Sequence, residues 1–339
     1  MSLTLQDVAK QAGVSMKTVS RVINNEKEVS EETRQRVLKV IEDVGYVPHI
    51  QAQRLASGRT LSVALHYPLI NPGLISNQVE LSFITGVAMG VAQENYYFNL
   101  MTMPLTPTDL LKLCRGAHAD GLILMQIAVH DWRVQLLQEN DYPFVIIGRC
   151  QNNDGLSFID LDFENAMLEV FAHLVSLGHQ HIGFLAFPKR WHQQGLGPAV
   201  RALEGFECAV NKFNLSPVYR ESDQTVESAY AVTTDLLREN PHLTAFVVMH
   251  NTMAVGALSA LQELGRKVPD DCSLIGIAFG NEGELIIPPL TAINWSGHDI
   301  GQQAAKMLIR QLQAKGSTPE QILVPPKLDI RRSTAPAVR

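Results

Sequence analysis

The chain has 339 residues, 46% of them hydrophobic and 18% charged, which is enough apolar side chain for two or three domains and too much for a disordered chain. No apolar run reaches the roughly 18 residues that a membrane-spanning helix needs. The formal net charge of −6 argues against nucleic acid, yet residues 1–59 hold nine Lys/Arg against seven Asp/Glu, so this head carries +2 and the remainder −8.

Thr4 precedes LQDVAKQAG. Its hydroxyl can cap a helix, and Asp7 three residues on completes an approximate capping box. Leu5, Val8, Ala9 and Ala12 recur at helical spacing, and Gly13 suits the positive φ that ends a helix. Ser15 restarts the chain as N-cap of MKTVSRVIN, with Val19, Val22 and Ile23 as its apolar stripe. Two short amphipathic helices joined by G-V-S make a helix-turn-helix pattern.

The second helix then turns Met16, Lys17, Thr18, Ser20, Arg21 and Asn24 outward. Lys17 and Arg21 can donate to guanine O6 and N7, and Met16 can touch a thymine methyl. Ser15, Thr18 and Ser20 are short donors suited to phosphate oxygens. A third helix opens at Ser30, with Glu31 and Glu32 in its first turn where the dipole favours them. Thr33, Val37, Val40, Ile41 and Val44 run along one face, and Gly45 ends it. Residues 46–58, YVPHIQAQRLASG, follow. Pro48 can open a short helix at its first position, with Ala52, Leu55 and Ala56 as a small apolar face.

From Leu61 the pattern changes. LSVAL, FNLMTM, DGLILM, FVIIG, IGFLAF, AFVVM and SLIGI read as buried parallel strands, and Val79 to Glu94 and Glu164 to Leu177 as helices. Alternation of this kind implies doubly wound sheets, and residues 60–339 suit two of them. Ligands of such sheets bind beyond the carboxyl ends of the strands. The candidate effector-binding residues are therefore His66, Tyr67, Gln126, Arg149, Phe187 through Trp191, His250, Asn251 and Ala278 through Asn281. Trp191 stands out, because its aromatic face can stack on a sugar ring.

No P-loop, GxSxG, GxGxxG or HExxH motif occurs, so an enzyme is not expected and no cofactor is implied. Cys114, Cys150, Cys208 and Cys272 are far apart and form no CxxC pair. His179 and His181 lack a full ligand set for zinc, so no metal is expected. The opening MSLTLQDVAKQAG has no apolar signal region, which points to a cytoplasmic protein and away from a secreted solute-binding protein.

The stretch from Leu5 to Asn24, then VSEETR and GYVP, closely resembles the LacI/GalR family of transcription regulators. The similarity continues through DGLIL, LGHQHI, GFLAF, VPDDCSLIGI, IPPLTAI and IRRST. It implies an N-terminal all-α helix-turn-helix headpiece (residues 1–46), a hinge helix or linker (47–59) and an α/β two-lobed sensor domain like a periplasmic binding protein (60–339). The lobes would be 60–160 with 293–323, and 161–292 with 324–339, with crossings near Asp160, Ala292 and Leu323. The resemblance also implies a homodimer on double-stranded operator DNA, with Met16, Lys17 and Arg21 against bases. Thr4, Ser30, Thr33 and His49 would join the DNA-binding set, and Leu55 would wedge into the minor groove.

The resemblance implies a small-molecule effector between the lobes, a sugar by default and a non-sugar metabolite as the alternative. Three departures bear on this. Many relatives place an Arg three residues before a Gly-aromatic pair, but here Arg201 lies one residue earlier, turned about 100° on a helix, and it joins the candidate effector-binding set from there. Ala278 stands where an Asp is common, and His250-Asn251 where Asn-Asp is. The pocket is therefore expected to be less acidic than usual.

Overall fold

The computed structural model describes residues 4–23, 28–46, 60–68, 78–116, 118–279, 282–314, 316 and 318–338. These divide into two units, Met1–Thr60 and Leu61–Arg339.

Three helices build the first unit: α1 (Leu5–Ala12), α2 (Met16–Ile23) and α3 (Glu31–Val44). The capping box at α1 is complete. Thr4 Oγ1 accepts from the Asp7 N–H, and the Asp7 carboxylate accepts from the Thr4 N–H at 2.9 Å, so two otherwise orphaned donors are satisfied. Gly13 ends α1 in the left-handed region at φ 66. Ser15 Oγ accepts from the Thr18 N–H at 3.1 Å and starts α2. Val8, Ala9, Ala12, Val19, Val22, Val37 and Tyr46 form the core, closed by Leu5, Ile23, Val40, Ile41 and Val44. Thr33, read from the sequence as part of the inner face of α3, lies outside this core and receives the Ser30 hydroxyl at 2.9 Å.

The second unit holds two six-stranded sheets. The strands are β1 (Ser62–His66), β2 (Tyr97–Met101), β3 (Gly121–Leu124), β4 (Phe144–Ile147), β5 (Phe158–Leu161), β6 (Ile182–Ala186), β7 (Val218–Glu221), β8 (Ala245–Val248), β9 (Ser273–Phe279), β10 (Thr291–Trp295), β11 (Gln321–Val324) and β12 (Leu328–Asp329). The first sheet runs β11-β5-β4-β3-β1-β2, all parallel, and the second β12-β10-β9-β8-β6-β7, parallel except for β12. Side chains alternate across the first sheet as the strand period requires. Val63, Leu65, Ile123 and Val145 enter one core cluster, while Ala64, Leu122, Leu124 and Ile146 enter another. The helices α4 (Gln78–Gln93) and α13 (Gly297–Gln313) cover the first of these faces, and α5 (Pro107–Arg115) and α6 (Trp132–Glu139) the second.

Two expectations need correction. FNLMTM was expected to be a buried strand, but β2 is the outer strand of its sheet, with Tyr97 51% and Leu100 40% exposed. The second crossing, expected near Ala292, follows Trp295, because all of β10 pairs with β9 in the second sheet. The other two follow β5 and β11. No helix among the described residues is long and apolar enough to cross a membrane.

The closest helix packing in the first lobe is between α4 and α13. A Cβ on Gly86 would fall 2.1 Å from the His298 carbonyl oxygen, and one on Gly301 2.3 Å from the Phe83 carbonyl oxygen. Both obstacles are backbone, so neither can swing aside. Gly301→Ala is expected to destabilise the sensor by about 1–3 kcal/mol or more through overpacking. Urea unfolding of the two proteins would show this as a lower midpoint at unchanged slope, and equal midpoints would mean that the helices can part freely.

Candidate functional site

The first unit presents one polar face. Met16, Lys17, Ser20 and Arg21 share a side of α2 opposite buried Val19 and Val22. Met16 is 52% exposed and Lys17 is also exposed. Arg21 lies beside Glu28, with the guanidinium 2.7 Å from the carboxylate, an exposed ion pair of little intrinsic strength that a phosphate or base can displace. Thr4, Ser15 and Ser30 sit exposed at the N-termini of the three helices, and Thr18 and Thr33 are half-buried beside them. Helix N-termini of this kind direct unpaired N–H groups towards anions. Asn24, His49 and Leu55, with the rest of the 47–59 segment, lie outside the described residues.

In the second unit each sheet changes winding direction once. In the first, β2 lies on one side of β1 and β3 on the other; in the second, β7 and β8 flank β6. The carboxyl ends of strands at such a switch leave a crevice. Tyr67 follows β1, Met125 and Gln126 follow β3, Phe187 follows β6, and Met249 and His250 follow β8. All six line one cavity of about 140 Å3. Trp191, on the short helix α8 (Lys189–Gln193), lines it too and stacks on Phe187 at 5.4 Å between ring centroids. Phe163, at the start of α7 (Phe163–Ser176), meets the edge of Phe187 at 6.4 Å and of Trp295 at 5.3 Å.

The polar groups of this cavity lie together. Gln126 Nε2 donates to the Tyr67 hydroxyl at 3.2 Å, and Glu80 lines the same wall. Gln126 is held at φ 52, a left-handed conformation that is unfavourable for a residue with a side chain. Buried Arg133 supports it, donating to the Gln126 carbonyl at 2.9 Å and the Met125 carbonyl at 3.2 Å while pairing with Asp131 through two nitrogens. Strain that is held so firmly at a cleft is a mark of function. Burial pushes the Glu80 carboxyl up to about 7. Burial and the neighbouring Glu80 raise the Tyr67 hydroxyl. On the other side of the cavity burial takes His250 down to about 4, so its ring is neutral.

Of the candidates, Tyr67, Gln126, Phe187, Trp191 and His250 line the cavity, and His66, Arg149, Arg201 and Asn251 do not. His66 alternates to the opposite face of the strand from Tyr67, where Arg133 lies 3.0 Å from its Nδ1 and the Met103 carbonyl 3.1 Å from its Nε2. Arg149 is held by Asp160 at 3.2 Å and Glu164 at 2.5 Å. Arg201, on α9 (Gly197–Phe213), donates to the Cys150 carbonyl at 3.1 Å and lies 3.7 Å from Glu164. Asn251 turns its amide to Glu282. Asn281 lies outside the described residues.

Strand-end reasoning missed Glu80, Asp160, Phe163 and Gln224, all of which line the cavity. Glu80 enters from the start of a helix, where that rule does not look. Asp160 was detectable as a carboxylate inside the apolar run FIDL. Burial lifts it to about 6, against the pull of Arg201 and Arg149.

Among the described residues no group of three or more His, Cys, Asp or Glu could hold a metal ion. His179 is occupied by Thr244, Ser273 and the Ala335 carbonyl, while His181 packs edge-on against His242.

Comparison with known proteins agrees with this architecture. Residues 4–49 match the model of bacterial regulatory proteins of the lacI family, and residues 171–334 that of a periplasmic binding protein-like domain. The chain is 30% identical to the HTH-type transcriptional regulator AglR of Rhizobium meliloti, over 99% of this chain and 96% of that one. Among solved structures it is similar to the lac repressor dimer bound to operator and the anti-inducer ONPF, with TM-score 0.84, 26% identity and coverage of 99% of this chain and 100% of that one. It is also similar to the CelR–cellobiose complex, with TM-score 0.70, 27% identity and coverage of 98% and 99%.

The Glu80 carboxyl titrates near 7 in the fold against 4.5 free, so the folded chain holds this proton more tightly than the unfolded one. Its stabilising share is complete below the free value and is lost as pH rises through about 7. Glu80→Gln removes that loss. The variant's advantage in melting temperature over the parent is expected to widen from about pH 5 to about pH 8, equivalent to about 1–3 kcal/mol. A gap that stays constant across this range would show that Glu80 is solvated.

Proposed function

Since the chain belongs to the lacI family of bacterial regulatory proteins, we propose that it works as a homodimeric repressor whose grip on operator DNA is set by a small molecule in the cleft of its sensor. It is a DNA-binding transcription regulator and not an enzyme. The observation that carries the fuller reading is the face of α2, where Met16, Lys17, Ser20 and Arg21 project together from a helix braced by Val19 and Val22. Such a helix enters the major groove with its N-terminal side chains on base edges. Ser15, Thr18, Thr4, Ser30 and Thr33 hold phosphates around it, and Asn24 and His49 extend the contact. A regulator of this type acts on the chromosome, which places it in the cytoplasm.

Tyr67, Gln126, Trp191 and His250 are the effector contacts that the cavity supports best, together with Glu80, and Asn281 remains a contact on the strength of its place after β9. A similar regulator in complex with cellobiose supports a carbohydrate-derived effector, and hence control of carbohydrate-utilisation genes. The effector biases the two lobes, and through them the hinge at residues 47–59, between DNA-competent and incompetent states.

Arg21→Ala is expected to weaken binding to a promoter fragment upstream of the protein's own gene by about 1–3 kcal/mol. Fluorescence anisotropy at matched salt measures this, and an unchanged Kd removes Arg21 from the contact set. Leu55→Ala is expected to lower both specific affinity and DNA bending. Wild-type bending in a circular-permutation gel would rule out a minor-groove wedge.

A further inference from the structure

An acid is set against the base-reading face of α2. Glu28 lies between α2 and α3, two residues before the N-cap Ser30. Val29, next in the chain, packs on the core of the head and anchors the backbone there. The Glu28 side chain is 67% exposed, yet it does not extend into solvent: its carboxylate stands 2.7 Å from Arg21 Nη2. Glu31, one turn on, faces its own helix instead, where Gln35 donates to it at 2.8 Å and Arg34 lies 3.8 Å away. Since α2 carries Lys17 and Arg21 as its cations, the pair with Glu28 cancels half of the helix's positive charge.

A carboxylate on a surface that meets phosphates is costly by charge alone, so its effect on Arg21 must be weighed by what Arg21 meets. A phosphate oxygen offers the guanidinium one anion in exchange for another, and brings its own negative charge against Glu28. Guanine is neutral and offers two acceptors, O6 and N7. A guanidinium has five N–H donors in a rigid fork, and Glu28 holds it at Nη2, so a guanine edge can be met with the carboxylate still in place. The long Arg side chain is also oriented before DNA arrives. Immobilising such a side chain on binding otherwise costs about two- to tenfold in affinity. Both effects act in the same direction, favouring the base and disfavouring the phosphate.

We propose that Glu28 is a specificity residue of the head. It is a positioning residue that acts through Arg21: it holds the guanidinium in the orientation that reads a guanine and withholds it from the phosphates of non-operator DNA. Its role rests on the reading of Arg21 as a base contact.

Fluorescence anisotropy across a salt series, with the full chain, Glu28→Gln, Arg21→Ala and the double variant, tests this. The specific target is the duplex that the wild-type chain enriches from a randomised library, and the reference is a scrambled duplex of the same length and composition. Glu28→Gln is expected to tighten binding to the scrambled duplex and to steepen its log–log salt slope by about 0.9, as Arg21 takes one more phosphate. The selected duplex does not gain to the same extent, so the ratio of the two affinities is expected to fall by about two- to tenfold. On the Arg21→Ala background the same substitution removes only a general repulsion, and the ratio is expected to stay constant. Glu28 is exposed, and the melting temperature of each variant checks that the head is intact. A ratio that Glu28→Gln leaves unchanged or raises overturns the proposal. So does an equal fall on the Arg21→Ala background, which would show that Glu28 acts without Arg21. If Arg21→Ala alone leaves the ratio unchanged, or no sequence is enriched, it is the reading of Arg21 as a base contact that fails.

Discussion

Parallel pairing is the constraint on which the sensor's function depends. A parallel strand cannot be entered from its neighbour by a tight turn, so the chain must cross over and re-enter from the same end. Every parallel strand then points its carboxyl end to one edge of its sheet, where loops are free to vary. In both sheets the winding reverses beside the first strand of the lobe, β1 or β6, and the crevice opens there. Tyr67, Gln126, Phe187 and His250 reach one cavity because each stands within two residues of the end of a strand next to a reversal. Their identities decide what is bound, but the sheet decides that they meet.

Buried charge is used sparingly around this cavity, and always in company. Arg133 occupies its nitrogens with Asp131, the neighbourhood of His66 and two carbonyls, so a cation lies beneath the cleft with its donors satisfied. Arg149, Asp160, Glu164 and Arg201 form a second cluster at the first crossing between lobes. An isolated buried charge would be costly, but in a network of this kind each charge is compensated by the others, and removing one member exposes the rest. Such clusters fix geometry more than they add stability. Here they hold the strained Gln126 backbone and tie α9 to the Cys150 carbonyl across the crossing.

Much of this was legible in the chain. Thr4, Asp7, Gly13 and Ser15 act locally, through caps and a left-handed turn, so their roles follow from neighbours one turn away. The apolar strands β3, β4, β6 and β8 were visible for the same reason. The short strands β7, β11 and β12 were not, because VYRE and LD carry little apolar signal, QILV is too short a run to tell strand from helix, and all three pair with a strand distant in sequence. His66 and Tyr67 show the other limit. Both follow the strand-end rule equally well, and only the alternation of side chains across the sheet sends one to Arg133 and the other to the cavity. Arg201, kept as an effector candidate despite its one-residue offset, is absent from the cavity wall and turns towards Glu164 and the Cys150 carbonyl.

The glycine-lined crossing of α4 and α13 has a consequence for biosynthesis. Its two helices are separated by the entire second lobe, and β11 joins the first sheet later still. On the ribosome the head needs only its own local contacts and can fold as soon as it emerges. The lobe that begins next is completed last, after a delay of roughly 15–60 s at ordinary elongation rates. Until then the sheet face with Val63, Leu65 and Ile123 has α4 but lacks the α13 part of its cover. The nascent sensor therefore keeps apolar surface exposed during that interval, the state in which chains are prone to aggregate.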